Sequence, residues 1–99
     1  MQKVAIFGAS GYGGVELARM VVAHPQFELV YLGGHSTAGR TLGDIYAHLP
    51  QIADMPIQEQ DYAAAAAVAD VMVFALHPGD GTAMVAQSVA AGKPTLDFS

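Results

Sequence analysis

A glycine-rich segment near the start of the chain has the residue types and spacing of a loop that binds phosphate. Gly8, Gly11 and Gly14 follow an apolar run at residues 4–7 and precede a helical pattern at residues 15–22. In a strand–turn–helix unit the first glycine permits a tight turn and the second lets the backbone approach a pyrophosphate. The third lets the helix pack closely on the strand. The residues that we expect to contact a dinucleotide here are Gly8, Ser10, Gly11, Tyr12, Gly13 and Gly14.

The residues beyond the second apolar run indicate which dinucleotide is bound. In folds of this kind an acidic residue about 20 positions beyond the glycines bonds the ribose 2′-hydroxyl of NAD. No acid occurs at residues 33–40, which instead carry hydroxyl groups, a histidine and a guanidinium. These groups favour a 2′-phosphate, which a carboxylate would repel. We therefore predict NADP as the cofactor, held through Ser36, Thr37 and Arg40; the alternative is that these are ordinary loop residues.

A second set of cofactor contacts is expected in the crevice beyond the carboxyl ends of the strands. Leu76 ends the third apolar run and Ser99 follows the last, so we expect both to line this crevice. His77 either lines it as well or opens the next helix. The histidines are too scattered for a metal site, and no residue of this chain is predicted to be catalytic.

Composition excludes several classes of function. The chain has 99 residues, 53% hydrophobic and 13% charged, which is typical of one small globular domain. A formal charge of −5 argues against binding to nucleic acid, and the lack of cysteine excludes disulfides and a thiol nucleophile. No signal peptide precedes residues 4–7, and no apolar stretch reaches the ~20 residues that span a bilayer. We therefore expect no membrane association and a cytoplasmic location.

The periodicity of the apolar residues predicts the elements that position these groups. Strands are predicted at residues 4–7, 27–32, 71–76 and 94–98, and helices at residues 15–22, 62–69 and 82–91. His24-Pro25 should end the first helix, where Glu16 is expected in the first turn, at the positive end of the helix dipole. Residues 35–60 predict a loop with one helical turn near residues 44–48.

This order of elements predicts the α/β class. Strands that alternate with helices form a Rossmann-like, doubly wound parallel sheet with helices on both faces. Because the chain stops on a core strand, we expect residues 1–99 to be an incomplete, amino-terminal NAD(P)-binding domain of a longer protein.

Several segments together resemble one enzyme family. They are VAIFGASGYGGVEL at residues 4–17, AHP at 23–25, STAGR at 36–40, HLP at 48–50, ALHPG at 75–79 and LDFS at 96–99. In combination they resemble the N-acetyl-γ-glutamyl-phosphate reductases over essentially the whole chain. Two positions depart from that family: Gly13 stands where threonine is usual, and His77 and Pro78 stand in the opposite order. No role is therefore carried over to His77.

The resemblance implies an NADPH-dependent reduction of an acyl phosphate to a semialdehyde, in arginine biosynthesis. In that family a cysteine forms a thioester with the substrate and a histidine assists, and both lie beyond the part that this chain resembles. The chain is then expected to bind NADP(H) without turnover, to meet the substrate only with the missing domain, and to belong to a homo-oligomer. Three alternatives stay open: a non-catalytic NADP-binding module, the same half of an aminoadipate- or aspartate-type semialdehyde dehydrogenase, and a glycine turn that serves packing alone and binds nothing.

Overall fold

The computed structural model describes residues 1–8, 12–34, 38–45, 54–76 and 81–98. Its strands are β1 (Gln2–Phe7), β2 (Phe27–Gly33), β3 (Val71–Phe74) and β4 (Thr95–Asp97). Its helices are α1 (Tyr12–Ala23), α2 (Leu42–Ile45), α3 (Tyr62–Val68) and α4 (Thr82–Ala90). Each predicted strand and helix is present, with ends that differ by a few residues. The helical turn predicted near residues 44–48 begins earlier, at Leu42 of α2, and residues 46–48 lie outside the described residues.

The strands form one parallel sheet in the order β2-β1-β3-β4. The chain moves outward from β1 to β2 through α1, then crosses back to β3 on the other side of β1 and continues outward to β4. This is the predicted doubly wound arrangement. β3 ends at Phe74 rather than at the predicted Leu76, because only residues as far as Phe74 pair with β1 and β4.

Successive side chains of β1 point to opposite faces of the sheet, and each face has its own apolar core. Val4 and Ile6 pack on one face beneath Val15 and Ala18 of α1. The other members of this cluster are Leu32, Leu42, Ile57 and Val73. Burial on both faces is the reason why residues 4–7 of β1 are an uninterrupted apolar run, as parallel strands usually are.

The opposite face carries α3 and α4. Ala5 and Phe7 pack there with Ala65 of α3, and Met84 and Val85 of α4 lie against the same cluster. The rings of Phe7 and Phe74 stack with centroids 5.2 Å apart. The predicted helices on both faces are therefore confirmed.

Local sequence explains where the helices end. α1 stops at Ala23, before His24-Pro25, as predicted, since the residue before a proline avoids the helical conformation. After α4, Gly92 adopts a positive φ of 76°. The amide of Gly92 donates to the Val89 carbonyl, and the amide of Lys93 donates to the Ser88 carbonyl. These are the two hydrogen bonds of a Schellman motif, which the glycine permits.

Residues 38–45 and 54–58 form more hydrogen bonds to one another and to β2 than the predicted loop would. The Gly39 amide donates to the Ile57 carbonyl and the Ile57 amide donates to the Arg40 carbonyl, so the segments that carry these residues run side by side. Gln58 then forms a parallel bridge to Gly33 at the free edge of β2. Among the described residues, this short bridge takes the position next to β2 where another strand could be added.

β4 is the shortest strand and lies at an edge of the sheet. Leu96 pairs in register with Val73 and shares its face, yet is 52% exposed, and Phe98 is 59% exposed. On the other face the Ser88 hydroxyl lies 2.6 Å from the Thr95 hydroxyl and joins α4 to β4. Within the described ranges, no helix is long and apolar enough to cross a membrane.

Tyr31 provides a test of the packing between β2 and the segment before α3. Its hydroxyl donates to the Glu59 carbonyl at 2.7 Å, and burial raises the pKa of Tyr31 above its ordinary value near 10. Y31F should therefore lower the free energy of unfolding by about 0.5–1.5 kcal/mol at pH 7. The native state favours the protonated phenol, so this stabilisation is complete below the unfolded pKa and is lost as pH rises through the folded pKa.

Urea unfolding of the wild type and Y31F, at neutral pH and above pH 10, measures the effect. The difference between their free energies of unfolding should be smaller at the higher pH. Tyr62 supplies the control because its hydroxyl is buried without a hydrogen-bond partner among the described residues. Y62F should cost less than Y31F at neutral pH, because it removes no hydrogen bond that the described residues make. Equal effects of the two variants at both pH values would contradict the role given to the Tyr31 hydroxyl.

Candidate functional site

The candidate site lies at the carboxyl ends of β1 and β3, where the order of the strands reverses. β1 pairs with β2 on one side and with β3 on the other, and the chain leaves β1 and β3 toward opposite edges of the sheet. In open α/β sheets this reversal opens a crevice that accepts ligands. The structure brings Gly8, the start of α1 and Leu76 to this edge, as predicted from their positions after the strands.

Gly8 makes the turn that leaves β1. Its φ is +82°, its amide donates to the Gly33 carbonyl at 2.9 Å, and the Ala75 amide donates to the Phe7 carbonyl at 2.9 Å. A Cβ at Gly8 would lie 2.3 Å from the Ala75 carbonyl oxygen. Both the conformation and the space therefore require glycine, which agrees with the tight turn predicted there.

The first turn of α1 presents open space beside its backbone. Gly13 is exposed, and a Cβ built there would have no atom within 4 Å. Gly14 is buried, as expected for a glycine that brings the helix close to the sheet. The amides at this helix start lack helical partners and carry the positive end of the helix dipole, which suits an anion.

One expectation about this helix is wrong. Glu16 was expected in the first turn, but α1 begins at Tyr12 and has no acidic residue in that turn. Glu16 lies one turn further on, where its carboxylate is 2.8 Å from the Arg19 guanidinium. The error arose because the apolar pattern starts only at Val15, after the glycines that already belong to the helix. The first turn of α1 therefore carries no carboxylate that would repel a bound phosphate.

Leu76 fills the space between two glycines. Its Cδ2 would lie 3.2 Å from a Cβ at Gly8, and its Cδ1 would lie 2.8 Å from a Cβ at Gly81. Gly81 is the N-cap of α4 and provides no side-chain capping bond. Leu76 therefore closes the apolar side of the turn after β1, and this packing depends on the missing side chains of both glycines.

Arg40 is held on the β2 side of the crevice. The Gly34 amide donates to the Gln58 carbonyl and the Gly39 amide to the Ile57 carbonyl, so both ends of the intervening loop are attached to neighbouring residues. The exposed Arg40 guanidinium donates to the Asp44 main-chain carbonyl at 3.3 Å. This bond uses one of the five N–H donors of the guanidinium.

Sequence reasoning missed the interaction between Thr41 and Asp44. The Thr41 amide donates to the Asp44 carboxylate at 3.0 Å, and the Asp44 amide lies 3.3 Å from the Thr41 hydroxyl. These reciprocal bonds form a capping box around the start of α2, and a threonine three residues before an acid is its sequence signal. The hydrogen bond from the Thr41 main chain lowers the pKa of Asp44.

Some predicted contacts stay predictions. Those that lie outside the described residues are Ser10, Gly11, Ser36, Thr37 and Ser99, and the same holds for His77. Tyr12 is described only by its backbone, as the first residue of α1. Within the described parts of the chain, no three His, Asp or Glu residues are grouped so as to hold a metal ion.

A comparison with protein families identifies the group to which this geometry belongs. Residues 3–99 match the family described as semialdehyde dehydrogenase, NAD binding domain. The chain belongs to this family. The match extends over both the glycine turn after β1 and the segment that carries Arg40, and it confirms the fold class expected from the order of strands and helices.

The curated relatives that this chain matches are longer proteins. N-acetyl-gamma-glutamyl-phosphate reductase of Synechocystis sp. is 41% identical over 97 residues, which are 98% of this chain and 28% of that relative. The enzyme of the same name from Cyanothece sp. is 43% identical over 97% of this chain and 27% of its own length. The chain therefore spans little more than a quarter of these relatives, and the predicted resemblance is confirmed.

A solved structure shows the same fold. The crystal structure of aspartate semialdehyde dehydrogenase with NADP from Candida albicans superimposes with a TM-score of 0.85 at 23% sequence identity. The match covers 98% of this chain and 29% of that one. A semialdehyde dehydrogenase thus contains the whole four-stranded arrangement as one part of a larger chain.

Proposed function

We propose that the chain binds NADP(H) and is the cofactor-binding part of an acyl-phosphate reductase of the N-acetyl-γ-glutamyl-phosphate type. The observation that carries this proposal is the turn at Gly8 followed by the open, acid-free start of α1, both at the reversal of strand order. A helix start at this reversal, with no acidic residue in its first turn, is a suitable receptor for a pyrophosphate.

The residues of this chain would bind and orient the dinucleotide. Backbone amides between Gly8 and Gly14 would hold the pyrophosphate, with Ser10, Gly11 and Tyr12 as the predicted contacts between them. Arg40, with Ser36 and Thr37, would bind the 2′-phosphate, and Leu76 and Ser99 would line the crevice. The cofactor supplies the hydride when bound.

The rest of the reaction requires groups that this chain does not contain. It has no cysteine among its 99 residues, so the thioester step expected from the family must come from another part of the protein. In this proposal residues 1–99 are the dinucleotide-binding domain, and a substrate domain supplies the acyl-phosphate site. The whole enzyme would be a cytoplasmic homo-oligomer in arginine biosynthesis. The relatives named N-acetyl-gamma-glutamyl-phosphate reductase support this substrate over an aspartate- or aminoadipate-type one.

Fluorescence titration with NADPH and with NADH tests the proposal. The wild-type chain should bind NADPH more tightly than NADH, without oxidising either cofactor when an acyl phosphate is added. R40A should weaken NADPH binding by about 10–100-fold and leave NADH binding nearly unchanged, because a charged hydrogen bond to a phosphate contributes about 1.5–3 kcal/mol.

R19A is the matched control for that substitution. Arg19 is exposed and pairs only with Glu16 on the surface of α1 among its described contacts, so its loss should affect neither cofactor. Equal affinity of the wild type for NADPH and NADH would contradict the 2′-phosphate assignment. No binding of either cofactor would contradict the whole proposal and favour a glycine turn that serves packing alone.

A further inference from the structure

The backbone beneath Arg40 is fixed to the sheet. The Ile57 amide donates to the Arg40 carbonyl at 2.6 Å, and the Gln58 amide donates to the Leu32 carbonyl of β2 at 2.7 Å. Ile57 itself is 1% exposed and belongs to the core under α1. The Cα of Arg40 is thus held in a defined place, and only its long side chain is left to be ordered.

Asp44 orders that side chain from the next turn of the chain. Its main-chain carbonyl accepts a hydrogen bond from the Arg40 guanidinium at 3.3 Å. Its carboxylate accepts a hydrogen bond from the Thr41 amide at 3.0 Å. The hydrogen bond that tethers the guanidinium is thus to a neutral carbonyl and leaves most of its five donors available. The hydrogen bond from the Thr41 main chain lowers the pKa of the Asp44 carboxylate, and the charge of Arg40, which also attracts this carboxylate, helps to lower it.

The reciprocal bonds between Thr41 and Asp44 keep that carbonyl in place. The Asp44 amide lies 3.2 Å from the Thr41 carbonyl and 3.3 Å from its hydroxyl, while the carboxylate returns to the Thr41 amide. The described part of α2 is the four residues Leu42–Ile45, and so short a helical segment has little stability of its own; its shape depends on this capping box. Loss of the Asp44 carboxylate would release the carbonyl that tethers Arg40.

We propose that Asp44, through its capping box with Thr41, is a positioning residue that sets the preference for NADP over NAD by fixing Arg40. This inference rests on the proposed function, in which Arg40 binds the 2′-phosphate. An arginine side chain has several rotatable bonds, and one that is already ordered loses less entropy when it binds a phosphate. Asp44 would thus affect selectivity for the cofactor without touching it.

Titrations of NADPH and NADH against D44A, R40A and the double variant R40A/D44A test this inference. D44A should reduce the ratio of NADPH to NADH affinity by about 3–10-fold, with NADH affinity unchanged, since it disturbs one charged contact without removing it. In the R40A background the same substitution should have no further effect on the ratio. D44N retains an oxygen that can accept from the Thr41 amide and should restore most of the preference.

D70A is the matched control, because the Asp70 carboxylate also accepts a main-chain amide, that of Lys3, but at the amino end of the sheet. It should leave the ratio unchanged. T41V removes only the hydroxyl of the capping box and gives a second measurement if D44A does not fold; it should shift the ratio in the same direction.

The outcomes separate this inference from the proposal on which it rests. A wild-type chain that lacks a preference for NADPH, or whose preference R40A leaves intact, overturns both. A preference that depends on Arg40 but is unchanged in D44A and T41V overturns only the role of Asp44. A shift of the ratio by D44A that is equally large with and without Arg40 also overturns only that role.

Discussion

The variant G8A should lose about 2–4 kcal/mol of the free energy of unfolding. A residue with a Cβ in a left-handed conformation costs roughly 1 kcal/mol, and Gly8 has a φ of +82°. The added Cβ would also lie 2.3 Å from the Ala75 carbonyl oxygen, in backbone that β1 and β3 hold on both sides. Such overpacking costs about 1–3 kcal/mol more, in a domain whose whole stability is of order 5–15 kcal/mol.

Urea denaturation followed by circular dichroism measures this loss, and G92A separates its two causes. Gly92 also has a positive φ, of 76°, but a Cβ there meets no atom within 4 Å. G92A should therefore cost only the roughly 1 kcal/mol of conformational strain. If G8A and G92A were equally stable, the close approach of Gly8 to β3 would not be a constraint on the fold.

The variant G13D should abolish most NADPH binding while the protein stays folded. A Cβ at Gly13 enters open space, and aspartate in the first turn of a helix gains from the dipole and from a better helix propensity than that of glycine. Stability should be unchanged or raised by about 0.5–1 kcal/mol. The same carboxylate would lie beside the bound pyrophosphate and repel it. We expect a loss of affinity on the order of 100-fold, or about 2.7 kcal/mol.

G13T is the control for the volume of the new side chain. Threonine is the residue that the resemblance leads us to expect at this position, and the open space beside Gly13 can accept it. Its affinity for NADPH, measured by fluorescence titration, should stay near that of the wild type. Unchanged binding in G13D would mean that the start of α1 does not face the pyrophosphate, and the candidate site would then be wrong.

Much of the fold follows from short-range patterns in the sequence. Apolar runs without alternation predicted strands that are buried on both faces, and Val4, Ala5, Ile6 and Phe7 are indeed divided between two cores. His24-Pro25 and Gly92 act through the conformations of one or two residues, so their effects on helix ends were also predictable. The exact ends of β1 and β3 were not, because they depend on which residues a neighbouring strand pairs with.

Some features of the candidate site were likewise predictable from the sequence, and others were not. The glycine at position 8 was expected in a tight turn because its function there depends on φ and on the missing side chain. The Thr41–Asp44 capping box and the tether on Arg40 were not foreseen, although both partners are close in sequence. Their geometry depends on residues 55–58, which attach the segment to the edge of β2.

The sequence by itself determined the class of fold, the strand–turn–helix unit and its family, since glycine positions and apolar periodicity act locally and can be read from neighbouring residues. Tertiary structure alone decided that Ala75 closes over Gly8, that Leu76 fits between Gly8 and Gly81, and that Ile57 holds the backbone of Arg40. These contacts join residues far apart in the chain. They exist only once parallel pairing has brought the ends of the strands to one edge.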